Sequence, residues 1–143
     1  MKIKLMALII FTLVPLVSFA ETQVSAGLGY QHGGVLGAQL GHVDGVNKYY
    51  ISLGLVGGAI GYQRVIDSER KQALGIALGS EVLTSEDGFA VLTYNYHFTG
   101  LENPGWVIGV SAGVRREDSG GLYSDSGDSL TQGAFMLELG YKF

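Results

Sequence analysis

The stretch Ala134-Phe135-Met136-Leu137-Glu138-Leu139-Gly140-Tyr141-Lys142-Phe143 decides the reading of this chain. One parity carries Phe135, Leu137, Leu139, Tyr141 and Phe143; the other carries Ala134, Met136, Glu138, Gly140 and Lys142. Successive side chains of a strand point to opposite faces. The segment is therefore a strand with one large apolar face and one small or polar face.

Seven further segments repeat the alternation upstream. The first, about Gln23 to Tyr30, sets Val24, Ala26, Leu28 and Tyr30 against Ser25, Gly27 and Gly29, and His32-Gly33-Gly34 turns the chain. The second, near Val35 to Val43, sets Leu36, Ala38 and Leu40 against Gly37, Gln39 and Gly41. Asp44-Gly45 is a hairpin signal. The third sets Tyr49, Ile51, Leu53 and Leu55 against Tyr50, Ser52 and Gly54, before Gly57-Gly58. In the fourth, Ile60 and Tyr62 share their parity with Arg64, so Arg64 lies at a border or a bulge shifts the phase. Asp67 to Arg70 is the next polar turn. The fifth sets Leu74, Ile76 and Leu78 against Ala73, Gly75, Ala77 and Gly79, and Thr84 to Gly88 turns. The sixth sets Ala90, Leu92, Tyr94, Tyr96 and Phe98 against Val91, Thr93, Asn95 and His97, before Asn103-Pro104-Gly105. The seventh sets Trp106, Ile108, Val110, Ala112 and Val114 against Val107, Gly109, Ser111, Gly113 and Arg115. A polar stretch from Arg116 to Leu130 leads to the eighth.

The face opposite the large residues is mostly Gly, Ala and Ser. It lacks the Lys and Glu of a solvated surface, whereas a soluble barrel keeps its large apolar residues inside. It fits the interior of a closed barrel whose large residues face lipid. Closure is obligatory there, because an open edge leaves unpaired backbone groups. The expected fold is all-β: an eight-stranded antiparallel up-and-down transmembrane β-barrel.

The front of the chain predicts export. Lys2 and Lys4 precede an apolar run from Leu5 to Val17, and Ser18-Phe19-Ala20 supplies a cleavage site, so residues 1–20 read as a signal peptide. Residues 21–143 are then the barrel. Removing Lys2 and Lys4 leaves seven basic against thirteen acidic residues, a formal charge of −6. An acidic chain with no basic cluster argues against nucleic acid. With no cysteine, neither disulfides nor thiolate metal sites arise.

The closing pattern, with an aromatic last residue and an aromatic two positions before it, resembles the terminal signal of bacterial outer-membrane barrels. In architecture the chain is similar to small eight-stranded barrels of the OmpA transmembrane-domain and OmpX/Ail type. The resemblance implies a Gram-negative cell-envelope protein integral to the outer membrane. Phe143, Tyr141 and Leu139 would act as the assembly signal read by the barrel-assembly machinery. Outer-membrane lipid and lipopolysaccharide would be its surroundings, with any surface partner open. Both termini would lie on the periplasmic side. Tyr49, Tyr96, Phe98 and Trp106, with Tyr141 and Phe143, then form an interfacial girdle, and Tyr30 is the best candidate for the opposite, outer girdle.

Members of that group anchor, adhere, resist serum or modify lipid, so fold alone does not decide function. The histidines offer little catalysis. No Ser shares a strand face with His42 or His97 at short spacing, and His32 has no Ser just after it. Glu117, Asp118, Asp125 and Asp128 occupy the expected outer loop, without the spacing of a calcium loop. No catalytic residue, metal or cofactor is assigned.

The lining is the more informative place. An eight-stranded barrel is just wide enough for side chains to fill, so a Gly-rich lining predicts an underfilled lumen. The large lining candidates are Tyr50, Gln63, Glu81, Phe89, Asn95, His97, Arg115, Gln132, Met136, Glu138 and Lys142. Glu138 would be buried and would need a partner, for which Gln39, Gln63, Arg64, Arg115 and Lys142 are the candidates. The expected role is a non-enzymatic, structural or surface-interaction one. A solute- or lipid-binding lumen or narrow pore is the alternative, and a lipid-modifying enzyme the third.

Overall fold

The computed structural model describes residues 22–81, 85–118 and 129–143, without the side chains of 81, 85–87, 117–118 and 129–130. The chain forms eight antiparallel strands that close into a barrel in sequence order. They are β1 (Thr22–Gly29), β2 (Gly34–Asp44), β3 (Asn47–Gly54), β4 (Gly58–Val65), β5 (Gln72–Glu81), β6 (Ser85–His97), β7 (Gly105–Asp118) and β8 (Ser129–Lys142). The closing seam pairs β1 with β8, for example Ala26 with Tyr141 and Leu28 with Leu139. The backbone N–H of Phe143 extends it to the Val24 carbonyl at 2.9 Å. The proposed signal residues 1–20 lie outside the described residues.

Parity sorts the side chains as alternation requires. Leu40, Ile51, Leu53, Ile60, Leu92, Phe135 and Leu137 are exposed on the outer wall, Leu53 at 76% and Leu137 at 70%. Gln23, Ser25, Gln39, Ser52, Gln63, Thr93, Asn95, His97, Ser111, Glu138 and Lys142 are buried inside. The barrel is thus apolar outside and largely polar within.

The end that carries residues 22 and 143 is here the terminal end, and the opposite one the distal end. At the terminal end β2 and β3 meet in a two-residue turn with Asp44 paired to Asn47. Gly45, at φ +58°, takes the first central position, where a primed turn asks for glycine. The outer wall here carries aromatic pairs: Tyr49–Tyr62, Tyr96–Phe98 and Trp106–Tyr141 at 5.2 Å and Tyr141–Phe143 at 5.3 Å between ring centroids.

Arg70 ties three turns of the same end together. Its guanidinium donates to the Gly45 carbonyl and, at 2.6 Å, to Glu102, while its carbonyl accepts the Leu101 N–H at 2.8 Å. Lys71 pairs with Glu69 at 2.9 Å, and that carboxylate raises the lysine above its ordinary pKa.

Several expectations change. Tyr30 is buried in the lumen, not in an outer girdle. Arg64 keeps the parity of Ile60 and Tyr62 and is exposed, because β4 pairs with both neighbours without a bulge. It does not line the lumen. Ser85 to Gly88 belong to β6, where the sequence predicts a turn. Glu117 and Asp118 lie in β7, which runs further than expected, while Asp125 and Asp128 lie outside the described residues. Gln132 sits on the inner parity but is exposed toward the distal rim. Arg115, opposite it, is half-buried at the same rim.

Candidate functional site

The lumen is filled by a segment expected to turn outside. After β1 the chain makes one 3-10 turn, Tyr30–His32, and all three residues are buried inside the barrel. The room comes from the glycine lining. A Cβ at Gly37 would run into the His32 carbonyl oxygen, and one at Gly61 would run into the Tyr50 ring. The first glycine admits the turn, and the second admits a large side chain.

Gln31 is the hub of the hydrogen bonds inside the barrel. Its Nε2 donates to Asn95 Oδ1 at 2.5 Å. Its Oε1 accepts from Gln63 Nε2 at 2.5 Å and from Asn95 Nδ2 at 3.3 Å. Its carbonyl accepts from Gln39 Nε2 at 3.0 Å and Ser52 Oγ at 2.5 Å. One three-residue turn thereby reaches β2, β3, β4 and β6. Buried polar groups are costly unless paired, so the strands and the turn satisfy one another.

Glu138 is buried and points inward, as parity requires. Its partner is the Ser111 hydroxyl, which donates to Oε1 from the facing strand. Gln31 lies beside it as well, while Oε2 has no hydrogen-bond partner. None of the expected partners fills that place. Lys142 instead donates to the carbonyls of Gly100 and Leu101, the latter at 3.1 Å. Arg64 is outside, and Gln39 and Gln63 serve Gln31.

Three groups close the lumen. Toward the distal end, Tyr30 packs on Phe89 with centroids 4.7 Å apart, in an apolar cluster with Tyr50, Ala59, Ala77, Val91 and Ala134. Met136 packs against that cluster. The Gln31 network comes next. At the terminal end the β6–β7 turn folds inward, burying Leu101, whose carbonyl accepts from Gln23 Nε2 at 2.8 Å. Between the last two groups lies a chamber of about 20 Å³, lined by Ser25, Gln31, His32, Gln39, Lys48, Gln63, Asn95, His97, Val107, Gly140 and Lys142.

Sequence reasoning missed Gln31, Lys48 and Leu101. Lys48 had a signal: it shares parity with Tyr50 and Ser52, but the apolar alternation begins only at Tyr49. Gln31 and Leu101 had none in periodicity, since both lie between strands.

Ser25, His32 and His97 share the chamber wall, yet Ser25 Oγ donates to Gln39 Oε1 at 3.4 Å and neither nitrogen of His97 has a partner. No nucleophile–base hydrogen bond therefore exists there. His42 lies on the outward parity of β2 and is exposed. Among the described residues no group of three or more His, Cys, Asp or Glu can hold a metal ion. No family model, curated protein or solved structure matches the chain.

Proposed function

We propose that the chain is an integral outer-membrane barrel with a non-enzymatic role, structural or in surface interaction. The observation that carries the reading is the inversion of polarity across the wall. Leu53, Leu92, Phe135 and Leu137 point away from the molecule, while glutamines, asparagine, lysines and Glu138 occupy its interior. Water outside would make that arrangement unfavourable. Hydrocarbon outside favours it, and the closed ladder leaves no edge unpaired.

The aromatic pairs at the terminal end support the same placement, because rings of this kind suit a membrane interface. The resemblance of the last strand to the OmpA transmembrane-domain and OmpX/Ail group supports the outer membrane in particular. In that orientation the terminal end is periplasmic. The surrounding partners are outer-membrane lipid and lipopolysaccharide, with the barrel-assembly machinery acting during insertion.

The filled lumen favours a plugged barrel over a pore, since the Gln31 turn and Leu101 obstruct it at two levels. A lipid-modifying role is disfavoured because His32 and His97 are buried in the lumen, where a lipid headgroup cannot reach them without displacing the turn.

Two measurements test this. The protein should fractionate with outer membranes, resist carbonate extraction and migrate faster when unheated. The refolded protein should show no channel steps in planar bilayers. Recovery as a soluble periplasmic protein would refute the membrane placement, and steady unitary conductance would favour the pore.

A further inference from the structure

The chamber behind the Gln31 turn gathers basic side chains, and among the described residues no acidic one lines it. Lys48 is 2% exposed and Lys142 1%. Both line the chamber, together with His32 and His97. Lys142 is met by two carbonyls. Lys48 has only the Tyr50 ring, 5.9 Å from Nζ to the centroid, and forms no hydrogen bond or ion pair among the described residues. Both nitrogens of His97 and Nδ1 of His32 are buried without partners. Glu138, the one buried acid among the described residues, is not on the chamber wall.

A buried ammonium without a partner costs several kcal/mol. Four basic side chains converge on one small space, and among the described residues no carboxylate lines it. Space of roughly 10–15 Å³ already admits one water, so about 20 Å³ admits a single small occupant. A tetrahedral oxyanion is too large. We propose that the chamber is a binding site for one halide ion, chloride under ordinary conditions, held between Lys48 and Lys142 with His97 beside it. The site does not depend on where the barrel resides.

The experiment uses the full barrel, refolded in detergent. Urea unfolding is measured at one ionic strength in sodium chloride, sodium bromide and sodium gluconate. Chloride and bromide should stabilise saturably and gluconate should not. At a halide concentration about ten times Kd the unfolding constant should fall about tenfold. Lys48→Met should abolish the difference between salts while the barrel stays heat-modifiable. Crystals of the unsubstituted protein grown in bromide should show anomalous density between Lys48 and Lys142, which decides the matter even where Lys48→Met does not fold. Equal midpoints in the three salts, or bromide only on the surface, would overturn the proposal and leave a chamber that holds water.

Discussion

Gln31 and Asn95, 64 residues apart in the chain, hydrogen-bond at 2.5 Å across the lumen. The bond fastens the first connection to the opposite wall. The three-residue turn that makes it also carries Tyr30 onto Phe89 and His32 to the chamber wall. Filling the barrel and holding its walls together are therefore one task, performed by one short segment.

Replacing Gln31 by Ala should be the most damaging single substitution in the turn. It removes the side chain that meets Asn95 and Gln63 and leaves their amides buried without partners. Each unmet buried polar group costs about 1–3 kcal/mol. The urea midpoint in detergent should fall accordingly. An unchanged midpoint would mean that water replaces the side chain without loss, and the hub would be no hub.

Gly37 tests whether the turn needs its seat. Gly37→Ala places a Cβ against the backbone oxygen of His32, which cannot swing aside as a side chain can. At Gly61 the obstacle is the Tyr50 ring, which can rotate. Gly37→Ala should therefore destabilise more than Gly61→Ala. If it expels the turn, planar-bilayer recordings should show conductance that the unsubstituted barrel lacks. Equal tolerance at both positions would mean the turn is loosely held.

The outer wall makes an independent prediction. Arg at Leu53, Leu78, Val110 or Leu137 should cost about 2–4 kcal/mol if these positions lie near the bilayer midplane. Refolding into vesicles and urea titration would measure it. Tolerance of Arg at Leu78 and Leu137, combined with intolerance at Gly75 and Gly109, would contradict a lipid-facing outer wall.

Glu138 should respond to shape more than to charge. Glu138→Gln keeps a group that accepts from Ser111, and its effect should be small. Glu138→Leu leaves the Ser111 hydroxyl without that acceptor, at about 1–3 kcal/mol. Unfolding in urea separates the two. A neutral or stabilising Glu138→Leu would show that the carboxylate is not held by its neighbours.

Strand number, strand facing and inward Glu138 were legible because parity along one strand is a local property. The terminal aromatics were legible for the same reason. What escaped lies between strands. Tyr30-Gln31-His32 resembles an ordinary polar turn, and its inward course depends on the space left at Gly37 and on partners at Ser52, Gln63 and Asn95, far from it in sequence. The Gly-rich lining predicts an underfilled lumen, whereas the Tyr30–His32 turn occupies the space those glycines leave. Arg64 misled in the opposite sense. A charge on an apolar parity suggested a phase shift, whereas its position in the last β3–β4 pair, at the terminal end of β4, lets it remain outside. Lys142 shows a further limit: its inward facing could be read from parity, but its carbonyl partners come from the β6–β7 turn.

The inward course of the first turn also governs where this chain can change length. Surface connections between strands usually absorb insertions and deletions easily. Here an epitope tag inserted between Gln31 and Gly34 would have to enter a closed interior or evict the segment that fills it. The same tag at Leu55 to Gly57 meets no such obstacle, since those residues sit at the distal rim. Descendants of this sequence should therefore keep a constant spacing between β1 and β2 and vary elsewhere.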